Sequence, residues 1–190
     1  MKVLIIFDLD ETLVRVQERP LSRAPDFHID NSLYGYKRPH MLRLLRVATR
    51  LFDDVAFWTI GSRRYADEVL SHLLPATHEP YFVWSREKAT RRVAASTEYT
   101  PEQAGHEVYF RKYLYKVKGY DRSNIIAVDD RYESYEHDYG NLLLVRPFTG
   151  AASDDELLRL ARYLPIVRKR IVSHVHRDVD LRNWRKHIRL

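Results

Sequence analysis

Val3-Leu4-Ile5-Ile6-Phe7-Asp8-Leu9-Asp10-Glu11-Thr12-Leu13 is the stretch on which the fold turns. Five consecutive apolar residues, rich in β-branched side chains, have the length and chemistry of a strand buried on both faces. Where that run ends, two carboxylates stand at i and i+2, and an extended backbone points Asp8 and Asp10 the same way. In open α/β sheets, ligands gather beyond the carboxyl ends of the strands. Like charges held close repel, and each costs energy to desolvate, so the pair calls for a cation or for phosphate chemistry. A capped strand end with a solvated turn is the plainer reading. It fits poorly, because Asp-x-Asp-x-Thr directly behind an apolar run is uncommon.

Outward from this segment, strand and helix patterns alternate. Met41–Leu51 carries apolar residues at helical spacing (Met41, Leu44, Leu45, Ala48, Leu51), and Val55–Trp58 is the next apolar strand. Arg63–Leu74 reads as a helix through Ala66, Val69, Leu70, Leu73 and Leu74, and Tyr81–Trp84 as a short strand. Thr100-Pro101-Glu102-Gln103 is a helix start, with Thr as N-cap, Pro in the first turn and Gln closing a capping box. Ile125–Val128 and Leu142–Val145 are two further buried strands, and Ser153-Asp154-Asp155-Glu156 opens a helix expected to run to about Leu164. The alternation predicts an α/β fold, a Rossmann-like parallel sheet covered by helices on both faces. Two segments interrupt it. Residues 13–39 contain Phe27-His28-Ile29-Asp30-Asn31-Ser32-Leu33-Tyr34, a β-hairpin pattern inserted after the first strand. Residues 86–100 are polar and read as an irregular excursion or small lid.

Composition removes several classes of function. The chain has 190 residues, 45% of them hydrophobic and none of them cysteine. Disorder and a disulfide scaffold are excluded, as are a thiolate nucleophile and Cys-ligated zinc or iron–sulfur sites. Apolar runs are strand-sized and no basic leader precedes a long apolar stretch, so the expectation is a soluble intracellular protein without membrane partners. Of 32 basic and 26 acidic residues, eight and two lie in Ile166–Leu190; that stretch carries +6 and the remaining 24 and 24 balance. Residues 1–164 are therefore read as one domain and 165–190 as a basic C-terminal extension. The extension has two readings, a solvated helix or an electrostatic contact with nucleic acid or an acidic partner. His174 and His176, at i and i+2, are too few to mark a metal site.

A second acidic pair, Asp129-Asp130, follows the Ile125 strand. If both strands are central neighbours, four carboxylates converge at one sheet edge and predict a divalent cation with hard oxygen ligands, most simply Mg²⁺. Thr59, after the Val55 strand and before Ile60-Gly61-Ser62, offers a hydroxyl and backbone N–H groups suited to phosphate oxygens. Lys112 precedes the Ile125 strand and can bring fixed positive charge to a phosphate, with Lys116 and Lys118 as competing choices. Tyr109, Tyr113, Tyr115, Tyr120, Tyr132, Tyr135 and Tyr139 either pack on the sheet or line a groove.

The order of these pieces resembles the haloacid-dehalogenase-like superfamily of phosphoryl-transfer enzymes, and within it the small phosphatases that act on the C-terminal repeats of RNA polymerase II. The resemblance runs from about residue 3 to residue 164. It is carried by Phe7–Leu13, Lys37-Arg38-Pro39, Phe57-Trp58-Thr59 with Tyr65-Ala66-Asp67, Asp129-Asp130, Asn141, and Asp155-Glu156-Leu157-Leu158. It implies that Asp8 is the nucleophile, forming an aspartyl phosphate, and that Asp10 protonates the leaving oxygen and then activates water. It further implies that Thr59, Lys112 and Thr12 bind the phosphoryl group, and that Asp8, the Asp10 carbonyl and one of Asp129 or Asp130, with Asp130 favoured, ligate Mg²⁺. One departure stands out: the family usually has Thr-Ala-Ser where this chain has Thr59-Ile60-Gly61-Ser62.

The expected activity is Mg²⁺-dependent hydrolysis of phosphate monoesters, with phosphoserine or phosphothreonine in a protein as substrate. A phosphatase of nucleic-acid ends or small esters is the alternative. A non-catalytic adaptor on the same fold is disfavoured because Asp8, Asp10, Thr59, a lysine and the acidic pair are all present.

Overall fold

The computed structural model describes residues 1–75, 77, 79–95, 106–173, 181 and 184. Its centre is a five-stranded, all-parallel sheet of β1 (Leu4–Phe7), β5 (Asp54–Trp58), β6 (Val83–Trp84), β9 (Ile125–Asp129) and β10 (Leu142–Leu144), in the order β10-β9-β1-β5-β6. Phe7 is in register with Phe57 on one side and Val128 on the other. The two acid-bearing strands are thus central neighbours. The chain leaves β1 toward β5 and later returns to β9 on the opposite side, so the carboxyl end of β1 is the point where strand order reverses and a crevice opens.

Strand alternation divides the core in two. Val3, Ile5 and Phe7 face α1 (Met41–Leu51), α2 (Arg63–Leu73) and α3 (Glu156–Val172), through Leu44, Ala48, Ala66, Val69, Leu160 and Leu164 among others. Leu4, Ile6, Ala56 and Trp58 face Leu114, Val117 and Tyr135 instead. The α/β parallel architecture agrees with the sequence expectation, but the three long helices among the described residues share one face. Short 3₁₀ turns at Leu114–Lys116 and Tyr132–Tyr135 pack on the other through Leu114 and Tyr135. Among the described residues no helix is long and apolar enough to cross a membrane.

Both interruptions contain β structure. The first is a three-stranded antiparallel sheet, β2 (Val14–Gln17), β3 (Phe27–Ile29) and β4 (Leu33–Lys37), ordered β2-β4-β3, so the expected hairpin has gained a third strand. Its turn residues Asp30 and Asn31 have φ of 48° and 55°, the left-handed pair that a tight hairpin needs. The described part of the second, residues 86–95, holds a 3₁₀ turn and β7 (Thr90–Ala95), which pairs antiparallel with β8 (His106–Arg111); residues 96–100 lie outside the described residues. The helix start expected at Thr100–Gln103 lies outside the described residues.

The last helix corrects the expected end at Leu164. It continues through Pro165 to Val172, because Leu164, Val167 and Ile171 prolong one buried stripe. The boundary drawn after residue 164 therefore falls inside α3. Leu181 and Trp184 are buried in the same core, Trp184 Nε1 donates to the Leu144 carbonyl at 2.7 Å, and its ring stacks on Tyr163. His174 and His176 lie outside the described residues.

Candidate active site

Asp8 sits one residue beyond β1, its N–H donating to the Val128 carbonyl at 2.9 Å, so β1–β9 pairing aims its carboxylate into the crevice. Lys112, the first residue after β8, is pinned by its own N–H to the Ser134 carbonyl (2.8 Å) and reaches under the site. Its Nζ donates to Asp8 Oδ1 and to Asp129 Oδ2, each at 2.6 Å, and the side chain is 1% exposed. Burial alone would lower the lysine's pKa; the charges of Asp129 and Asp8 outweigh it and hold the group protonated. Lys116 and Lys118 are spent elsewhere, on the Lys88 carbonyl with the Thr90 hydroxyl and on the Tyr115 carbonyl.

Asp129, the last residue of β9, has both oxygens engaged, Oδ2 by Lys112 and Oδ1 by the Arg131 N–H at 2.8 Å. Asp130 is less enclosed; its Oδ1 accepts from Thr12 Oγ1 at 3.3 Å. One oxygen each from Asp8, Asp129 and Asp130 lies within 4.8 Å of the others. Three carboxylates against one ammonium leave a surplus of negative charge in a half-dry pocket. Burial pushes Asp8 well above the ordinary carboxylate range despite Lys112, and burial together with Asp129 raises Asp130 to about 7. A small divalent cation with oxygen preference fits this donor set, since it would supply the missing positive charge at coordination distance from several oxygens.

Asp10 is not part of that cluster. Four carboxylates were expected to meet; three do, and the Asp10 side chain turns away toward the β5–α2 loop. There Tyr65 OH donates to Oδ1 and Thr59 Oγ1 to Oδ2 at 3.2 Å. Burial raises the Asp10 pKa, and the two hydroxyl donors pull it part of the way back. The Thr59 hydroxyl, expected to face phosphate, is thus directed at Asp10 and accepts from the Gly61 N–H at 2.9 Å. Thr12, also expected to bind phosphate, is fully buried and directed at Asp130.

Sequence reasoning missed Tyr65 as a site residue. It stands in the first turn of α2, whose N-cap Ser62 accepts from the Tyr65 N–H at 3.2 Å. Glycine at 61 makes room for the ring: a Cβ there would stand 2.5 Å from Tyr65 Cδ1. That spatial need is the local reason for Gly in the Thr-Ile-Gly-Ser departure. Of the tyrosine cluster, Tyr135 is buried and Tyr113 nearly so, whereas Tyr115 and Tyr132 are exposed.

The sequence model of the NLI interacting factor-like phosphatases matches residues 3–176. The human protein named CTD small phosphatase-like protein is 30% identical over 185 residues, covering 93% of this chain and 60% of its own length. A second human relative, carboxy-terminal domain RNA polymerase II polypeptide A small phosphatase 1, is 37% identical over 75 residues, 36% of this chain and 28% of that protein. This chain thus spans about three-fifths of the longer-matching relative. Among solved structures, Fcp1, described as an essential RNA polymerase II CTD phosphatase, superposes with a TM-score of 0.55 at 17% identity, over 98% of this chain and 52% of that one. At that identity the likeness speaks for the fold.

Proposed function

The chain belongs to the NLI interacting factor-like phosphatase family, and on that premise we propose that it hydrolyses phosphate monoesters through a phosphoaspartate on Asp8. The observation that carries the proposal is the Lys112 ammonium bridging Asp8 and Asp129 at 2.6 Å. One Asp8 oxygen is fixed by that bond, which opposes the protonation that burial favours and leaves the other oxygen for phosphorus.

In the first step Asp8 attacks phosphorus, the ester P–O bond breaks, and the leaving oxygen takes a proton from Asp10. Water then attacks the phosphoaspartate, Asp10 takes the water's proton, and Asp8 and inorganic phosphate are released. A raised pKa suits Asp10 to the first role, and the Tyr65 and Thr59 donors suit it to the second by steadying the anion. Mg²⁺, held by Asp8 and Asp130 with Asp129 behind them, would neutralise charge on the phosphoryl oxygens. Asp130 is the better direct ligand of the late pair because both oxygens of Asp129 are already engaged. Thr59 contributes to phosphate binding through this loop only if its hydroxyl exchanges Asp10 for a phosphoryl oxygen.

The names of the relatives, one of them a phosphatase of the RNA polymerase II carboxy-terminal domain, support a phosphorylated protein as substrate, and the side chain proposed is phosphoserine or phosphothreonine. The test is turnover of an aryl phosphate in Mg²⁺, followed by a panel of phosphopeptides, nucleic-acid 5′-phosphates and sugar phosphates. Asp8→Asn abolishes turnover if the proposal holds; full activity in that variant, free of contaminating enzyme, removes it. Preference for nucleic-acid ends would transfer the reading to the alternative substrate class.

A further inference from the structure

We infer that Arg38 is a positioning residue for this chemistry: it clamps the turn that follows Asp10 without touching the reacting groups. The residue lies just past β4, and its side chain is fully buried. Nε and Nη2 fork onto Asp154 Oδ1 and Oδ2 at 2.9 and 3.0 Å. Nη1 donates to the carbonyls of Glu11 and Thr12 at 3.2 and 3.1 Å. The Arg38 N–H takes the Leu13 carbonyl at 2.9 Å, and the Phe148 N–H takes the Glu11 carbonyl at 2.7 Å. Three consecutive carbonyls, those of Glu11, Thr12 and Leu13, are therefore held by Arg38, two of them by its guanidinium.

The clamp is needed because Glu11 has φ of 53°. A side chain with a Cβ visits the left-handed region reluctantly, and such a conformation persists where its surroundings over-determine it. The conformation of Glu11 sets the direction in which Asp10 leaves the strand and Thr12 re-enters the core. Only a planar, five-donor cation can grip a carboxylate with two nitrogens and two carbonyls with the third; an ammonium has neither the span nor the fixed angles. Asp154 Oδ1 also accepts the Glu156 N–H at 3.1 Å, so the start of α3 is tied to the same knot.

This inference rests on the phosphatase reading for its kinetic readout but not for its structural one. Arg38→Lys keeps a cation beside Asp154 and gives up the fork. In Mg²⁺ with an aryl phosphate, kcat should fall about 100-fold, the scale expected for a misplacement of about 1 Å, with KM within about twofold. Amide hydrogen exchange should quicken at Leu13 and the Arg38 amide while α2 and β5 stay protected. Asp154→Asn, which leaves the bonds to Glu11 and Thr12 in place, should lose less, about tenfold, and it carries both readouts should Arg38→Lys not fold. A folded Arg38→Lys with near-normal kcat overturns the inference, as does faster exchange spread evenly over the molecule. If the unaltered protein turns over no phosphate ester, the phosphatase reading fails and the exchange pattern alone decides the clamp.

Discussion

A Cβ on residue 61 would stand 2.5 Å from Cδ1 of Tyr65, so the glycine and the tyrosine ring occupy one shared volume beside Asp10. No real Cβ tolerates that separation, and Gly61→Ala must push the ring or the β5–α2 loop aside. Because Tyr65 OH and the Thr59 hydroxyl hold the two oxygens of Asp10, either movement releases the carboxyl proposed as acid and base. Gly61→Ala should lower kcat by one to two orders of magnitude, on the scale of misoriented general acid–base groups. Tyr65→Phe should reproduce most of the loss with the ring left in place. If Tyr65→Phe retains full kcat, the bond to Asp10 has no part in turnover.

Lys112→Met tests the centre of the site. The substitution keeps the bulk and removes the ammonium, leaving Asp8 and Asp129 as facing, buried and unpaired carboxylates. Breaking a buried pair in this way costs about 3–5 kcal/mol. The variant should unfold at markedly lower denaturant concentration, lose turnover, and recover part of its stability in millimolar Mg²⁺. A stability within about 1 kcal/mol of the parent without metal would mean that the bridging ammonium contributes little to holding the site together.

Most of the architecture was legible because its signals are local. Apolar runs ending in acids mark β1 and β9, and helical spacing marks α1, with the bounds Met41–Leu51 found in the structure. What escaped depends on contacts distant in sequence. Pro165 reads as a stop, yet the helix survives it because Val167 and Ile171 gain burial beyond. The long helices share one face because the described connections from β6 to β9 and from β9 to β10 carry β7, β8 and 3₁₀ turns in place of long helices. The roles of Thr12 and Tyr65 escaped for the same reason: their partners, Asp130 and Asp10, are 118 and 55 residues away.

In the proposed site, metal binding is linked to protons. Asp130 is raised to about 7 by burial and by Asp129, above the ordinary value of 3.8. Between those two values the folded protein holds a proton that the unfolded chain has released, so on this account stability falls as pH rises from about 4 to about 7. In the proposed site Mg²⁺ binding expels that proton, and its affinity should rise with pH through about 7. Thermal unfolding with and without Mg²⁺ at pH 5.5 and pH 8 checks both signs. The stabilisation by metal should be clearly larger at pH 8, and an equal increment at the two values would refute the linkage.

Removing the basic tail looks at first like a clean test of nucleic-acid binding, but Trp184 rules that out. Its ring is fully buried against Tyr163, and its indole N–H meets the Leu144 carbonyl at 2.7 Å, at the end of an outer strand of the sheet. Truncation after Val172 strips Trp184 and Leu181 from the main core and uncovers the flank of α3. Trp184→Ala alone should cost about 3–5 kcal/mol, the range for a large aromatic removed from a packed interior. Loss of activity on truncation would then reflect unfolding, not lost substrate contact. Charge reversal at the right position separates the two: Arg168→Glu breaks a half-buried pair with Asp53 and the Nε bond to the Leu51 carbonyl, whereas Lys169→Glu alters charge at an exposed position on the last turn of α3. If the tail serves only the fold, Lys169→Glu should leave both stability and the salt dependence of turnover on a 5′-phosphorylated oligonucleotide unchanged. A flatter salt dependence in that variant would show that the positive charge meets a polyanion.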